Sequence, residues 1–183
     1  MQSTTASFEA KSIRWSLKAC NILDEPADVL ICSANVSLNL SGGVGADLLG
    51  RYGPQMQAEL HKVIAGRSPR AARPGEVIAY AGPELPYKAV LHAVAVDGWY
   101  HATPESVRET IATALRMASE LTAKKVALTA LATGFGDLTL PDFANALRPL
   151  LTMDFPPIEE VCLCLMEDYR LRQLADNLFP ATS

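Results

Sequence analysis

The chain is predicted to fold as a three-layer α/β/α domain built on a mixed central sheet. Short apolar runs that read as strands alternate with helical patterns along its whole length, which implies a largely parallel or mixed sheet covered on both faces. Two of those runs end in glycine-bearing turns that open helices. The length of 183 residues and an apolar fraction of 49% suit one domain, spanning 1–183, with a sizeable core.

Residues 1–8 are expected to be a short disordered lead. Residues 12–17 alternate weakly and read as an edge strand, and 29–32 form a stronger apolar strand after the turn-like Asp24-Glu25-Pro26. From Asp47 onward Leu48, Leu49, Tyr52, Met56, Leu60 and Val63 keep helical spacing, so one helix is expected to run until Gly66. Residues 68–75, rich in Pro, Gly and Arg, read as a surface loop. Strands at 77–80 and 89–96 follow, joined by a turn-rich connection.

Thr103-Pro104 reads as a cap and first helical residue, and Val107, Ile111, Ala114, Leu115, Ala118 and Leu121 make one apolar stripe. Residues 126–131 form a buried-type strand. Thr139, Pro141 and Asp142 then mark a helix start, with Pro149 expected to kink or end that helix. A last strand at 161–165 and a helix at 168–178 complete the pattern.

Composition excludes several functions. A net charge of −4 offers no basic stripe for sequence-specific nucleic-acid binding, although backbone dipoles can hold a small anion on an acidic protein. No apolar run is long enough to cross a membrane and the polar start lacks a secretory segment, so a cytoplasmic location without a membrane partner is expected. Cys20, Cys32, Cys162 and Cys164 lack the spacing of a zinc or disulfide framework. They are read as small core hydrophobes, with Cys162 and Cys164 on opposite sides of the last strand, and no metal or cofactor is expected. His92, within an apolar strand, is read as structural.

The two glycine turns carry the chemistry. The first, Asn35-Val36-Ser37-Leu38-Asn39-Leu40-Ser41-Gly42-Gly43-Val44-Gly45, and the second, Ala132-Thr133-Gly134-Phe135-Gly136-Asp137, lie at strand ends. Glycine permits tight turns and close ligand approach, and the following helix presents unpaired N–H donors. Open α/β sheets bind ligands outside such strand ends, so the pair is expected to clamp a phosphate-bearing ligand.

The chain resembles a macro domain over essentially its whole length. Residues 27–35 are similar to the family's strand ending in Asn-Ala-Ala-Asn, and residues 42–54 to its glycine loop and helix. Pro74-Gly75-Glu76-Val77 and residues 85–94 resemble its next strand entries, and Thr133-Gly134-Phe135-Gly136 its second ligand loop. The resemblance implies binding of ADP-ribose, free or attached to a protein or nucleic acid.

It further implies that the backbones of Gly42, Gly43 and Val44 and of Thr133, Gly134 and Phe135 hold the pyrophosphate, flanked by Ser41, Gly45 and Gly136. Asn35 is expected to bond the distal ribose, Phe135 to pack on that ribose, and Tyr169 to stack on adenine. Asn21, followed by Ile22, stands where the family commonly has an adenine-reading Asp. An amide carbonyl accepts that hydrogen bond without charge assistance.

Members that remove ADP-ribose typically carry an Asp after the Gly-Val of the first loop, and this chain has Gly45 there, which cannot act as a general base. Asp47 and Asp137 are the candidate substitutes, with Asn35 orienting the ribose. The alternative to a binding module is therefore a hydrolase acting on ADP-ribosylated macromolecules or ADP-ribose 1″-phosphate. A third reading is an interaction surface whose cleft is plugged by Leu40 and Phe135.

Overall fold

A computed structural model describes residues 5–179. Its seven-stranded sheet has the order β1 (Thr5–Ala10), β2 (Ile13–Ala19), β7 (Glu160–Leu165), β6 (Lys125–Thr129), β3 (Val29–Ala34), β5 (Ala89–Val94) and β4 (Val77–Tyr80). The inner five strands are parallel, while β1 and β4 run antiparallel at the two edges.

Side-chain alternation divides each inner strand between two layers. Val29 and Ile31 of β3 face a cluster shared with helices α3 (Pro104–Glu120), α4 (Leu140–Leu147) and α5 (Asp168–Leu178). Leu30 and Cys32 face a second cluster, capped by α1 (Val44–Tyr52) and α2 (Gln55–Ile64). Both faces are buried, which is why β3 and β5 read as unbroken apolar runs. Fully buried Leu48 anchors α1, and truncating such a leucine to alanine typically costs about 2–5 kcal/mol, so the glycine loop before α1 rests on a firm base.

Several boundaries differ from expectation. The long helix after Asp47 is two helices, because Gly53 takes a left-handed conformation (φ 80°) and Pro54 follows it, removing a backbone donor. Residues 5–8, expected to be disordered, belong to β1, which pairs with β2 from Thr5 to Ala10; residues 1–4 lie outside the described residues. The ring of Phe8 meets Phe179 edge-on with centroids 4.2 Å apart, an apolar anchor at that edge. The strand at 12–17 is consequently interior and β1 is the edge. Thr103 and Thr139 each form a full capping box with the residue three positions on. Among the described residues no helix is long and apolar enough to cross a membrane.

This topology places a crevice between β3 and its neighbour β6. The chain leaving β3 turns to the α1–α2 layer, whereas the chain leaving β6 turns to the opposite layer. Their loops must diverge, and the gap opens at the carboxyl ends of the strands.

Candidate functional site

The crevice is a cavity of about 350 Å³, within the range of small-molecule sites. Both glycine loops line it, residues 38–45 from one side and residues 132–136 from the other. The reading in which Leu40 and Phe135 plug the cleft is overturned by this open space. Leu40 is buried in the wall, and Phe135 is 75% exposed at the rim.

Each loop presents main-chain donors. Gly43 caps α1 with φ 51°, a conformation that suits glycine. Among the described residues Gly42 and Gly43 donate no backbone hydrogen bond, and Val44, as the first helical residue, has no intrahelical partner. In the second loop Gly134, Phe135 and Gly136 likewise keep free N–H groups. Thr133 does not, since its N–H donates to the Ala130 carbonyl at 3.4 Å. The Thr133 N–H is thus engaged within its own turn.

The second loop is held from behind. The Arg170 guanidinium donates to the Thr133 carbonyl at 3.0 Å and to its hydroxyl at 2.9 Å. A Cβ on Gly136 would lie 2.4 Å from the Ala132 carbonyl oxygen, so only glycine fits that turn. Three cavity-lining residues other than glycine, Leu38, Tyr100 and Ala132, have positive φ (54°, 65° and 61°). Such strain concentrates at ligand sites.

Asn35 lines the cavity, but its amide is partly spent within its own loop. Its Nδ2 donates to the Asn39 carbonyl (3.0 Å) and its Oδ1 accepts from the Asn39 N–H (3.2 Å). One N–H and one lone pair remain for a ligand. Ser41 and Gly45 also line the cavity, and Gly45 is packed tightly, since a Cβ on it would lie only 3.1 Å from the Leu40 Cα.

Other expected site residues lie outside the cavity wall. The Asn21 side chain caps a 3-10 turn by accepting from the Leu23 N–H (2.9 Å) and donates to Asp47 at 3.4 Å, while Ile22 is buried in the α1–α2 core. Asp47 therefore sits on that contact in the first turn of α1. The Asp137 carboxylate accepts from the Ala102 N–H (3.0 Å) and meets His101 Nδ1 at 2.8 Å, which ties the 97–102 loop to the second glycine loop. That bond lowers the Asp137 pKa and raises that of His101. Tyr169 is 68% exposed beside the cavity, and the next residue, Arg170, lines it instead. Asn21 thus satisfies a backbone donor two residues on, as short polar side chains readily do, whereas Asp137 is engaged by a loop distant along the chain.

The floor of the cavity was not foreseen. Cys164, Thr129 and His92 all line it and lie in one row across the sheet, since Cys164 pairs with Thr129 and His92 with Cys32. Thr129 Oγ1 and His92 Nε2 are shielded from solvent and have no hydrogen-bond partner among the described residues. Burial lowers the His92 pKa to about 4, so the ring is neutral at physiological pH. A single histidine in an apolar strand gives no hint that it lines a cavity; strand register with the row beside it does.

Comparison with known proteins converges on one family. The model of the Macro domain matches residues 31–147. A macro domain-containing protein of Streptomyces griseus is 29% identical over 149 residues, covering 80% of this chain and 84% of its own. One from Streptomyces nogalater is 29% identical over 162 residues, covering 86% and 88%. Among solved structures, an Oceanobacillus iheyensis macrodomain variant with ADPR superposes with a TM-score of 0.84 at 18% identity, covering 96% of this chain and 97% of that one. A Trypanosoma brucei macrodomain in complex with ADP-ribose gives 0.73 at 21% identity, covering 87% and 67%.

Proposed function

The chain belongs to the macro domain family, and on that premise we propose that its cleft binds ADP-ribose, free or carried on a modified macromolecule. The observation that carries this reading is the convergence of free N–H groups from Gly42, Gly43 and Val44 and from Gly134, Phe135 and Gly136 on one cavity. A diphosphate is the chemical group that such a paired set of amides suits, because each loop can hold one phosphate without a formal charge. Arg170, fixed behind the second loop, adds positive potential at that end. Asn35 supplies its remaining N–H and lone pair to the distal ribose, and the base lies toward Leu165 and Met166 at the other end of the cavity wall.

Binding is favoured over hydrolysis by the placement of the acids. Gly45 has no carboxylate, and Asp47 and Asp137 are engaged outside the cavity wall. Among the described residues lining the cavity Glu167 is the one acidic side chain, and it lies 3.9 Å from Arg170. A module of this kind reads ADP-ribosylated targets rather than erasing the mark.

Titration calorimetry tests this. ADP-ribose is expected to give saturable heat with one site per chain, while release of ADP-ribose from a modified protein stays at the uncatalysed rate. Absence of saturable heat at millimolar ligand, from protein shown to be folded, removes the reading.

A further inference from the structure

At the β7 side of the cleft floor, three cysteines and a glutamate gather where the core is otherwise apolar. Cys162 and Cys164 were expected on opposite sides of the last strand. That expectation was wrong, because side chains two apart in a strand share a face. Their sulfurs stand 3.9 Å apart on the α1–α2 side. Cys20, just past β2, comes to the same place through the parallel β2–β7 register, with its N–H donating to the Leu165 carbonyl at 2.9 Å. The Cys20 sulfur, the Cys164 sulfur and a Glu25 carboxylate oxygen all lie within 4.8 Å of one another.

We propose that Cys20, Cys164 and Glu25 form a binding site for a thiophilic divalent cation of the zinc class. The proposal is independent of the nucleotide reading. Zinc takes thiolate sulfur at about 2.3 Å and carboxylate oxygen at about 2.0–2.2 Å, so a tetrahedral centre needs sulfurs about 3.8 Å apart, within small side-chain rotations of this arrangement. Two thiolates and a carboxylate suit zinc better than magnesium or calcium, which prefer all-oxygen sites.

The surroundings fit a metal ligand set. Lys18 Nζ donates to Glu25 Oε1 at 2.5 Å, which leaves Oε2 for a cation, orients the carboxylate and offsets the negative charge of the thiolates. Glu25 is nearly buried, and its pairing with Lys18 fixes it facing the sulfurs. Cation binding displaces the protons of both thiols, releasing two protons per metal ion.

Cys164 also lines the cavity, so the cluster borders the cleft.

Cobalt(II) added to the reduced, nucleotide-free chain tests the site. The expected result is one equivalent bound, with thiolate-to-cobalt charge transfer in the near ultraviolet and the intense visible bands of tetrahedral cobalt, bleached by stoichiometric zinc. Cys20→Ser and Cys164→Ser should each weaken binding at least about 100-fold and Glu25→Gln about 10-fold or more. Cys32→Ala, a buried thiol outside the cluster, should leave the spectrum unchanged. Near-ultraviolet circular dichroism of each variant checks that it is folded. Should folding fail in a serine variant, protection of Cys20 from alkylation by zinc in the unmodified chain serves as the second readout. Absence of the charge-transfer band, or its persistence in folded Cys20→Ser and Cys164→Ser, overturns the proposal, as does alkylation of Cys20 at an unchanged rate in saturating zinc.

Discussion

The ring of Phe135 rests on Gly42, so close that a Cβ added at residue 42 would lie 2.8 Å from Cε2 and Cζ of the ring. One residue comes from each glycine loop, so this contact sets the separation of the two jaws. Gly42 is required here for close approach, while its neighbour Gly43 is required for its left-handed backbone.

Gly42→Ala should therefore push the Phe135 ring aside and widen or block the jaw. We expect ADP-ribose affinity to fall about tenfold, about 1.4 kcal/mol, with little loss of stability because the exposed ring can swing toward solvent. The double variant Gly42→Ala with Phe135→Ala should recover part of that loss. Calorimetry on the four proteins of this cycle checks the coupling, and strictly additive losses would show that the two residues do not act through each other.

The second loop gives a paired prediction. Gly136→Ala places a Cβ 2.4 Å from the Ala132 carbonyl oxygen, against backbone that cannot rotate away, so the loop must rearrange. A loss of about 1–3 kcal/mol in stability is expected, together with weaker ligand binding. Gly134→Ala meets open space and should change stability by less than about 0.5 kcal/mol. Denaturant unfolding of both variants separates the outcomes.

Much of this architecture was legible in the sequence, and the exceptions are instructive. Apolar runs at β3, β5 and β6 and the capping residues Thr103 and Thr139 marked their elements because the signals are local. The helix break at Gly53-Pro54 was written in the sequence too, but unbroken apolar spacing on either side hid it. At the site, the glycine loops were legible as motifs, whereas the fates of Asn21, Asp47 and Asp137 were not. Those depend on partners distant along the chain: Asp47 for Asn21, and His101 and Ala102 for Asp137. The cysteine cluster needed strand register, which local pattern does not carry.

Arg170 holds Thr133 by two hydrogen bonds with its guanidinium only partly exposed. Hydrogen bonds to charged groups contribute about 1.5–3 kcal/mol when buried, and partial exposure reduces this. Arg170→Ala should weaken ADP-ribose binding by about tenfold and lower the melting temperature by about 2–4 °C. A comparable effect from Arg172→Ala, on the exposed side of the same helix, would indicate a general charge effect instead.

His92 predicts an acid sensitivity. Its folded pKa lies near 4, below the ordinary value of about 6.5, so the unfolded chain takes up a proton that the folded chain refuses. Stability is unaffected above pH 6.5 and declines as pH falls from there toward 4, by roughly 3 kcal/mol at pH 4. His92→Gln should remove that portion of the decline in denaturant unfolding at about pH 7 and pH 4. An unchanged pH dependence in the variant would mean that other groups carry it.

The central claim is that two separate loops offer their free amides to one diphosphate. Amide-resolved NMR during titration with ADP-ribose tests it most directly. The account predicts saturating shifts at Gly42, Gly43, Val44, Gly134, Phe135 and Gly136 with a single common midpoint, and smaller shifts at Gly53 and Gly75, which lie off the cavity wall. Saturation with those six amides unmoved, or with only one loop responding, would contradict it.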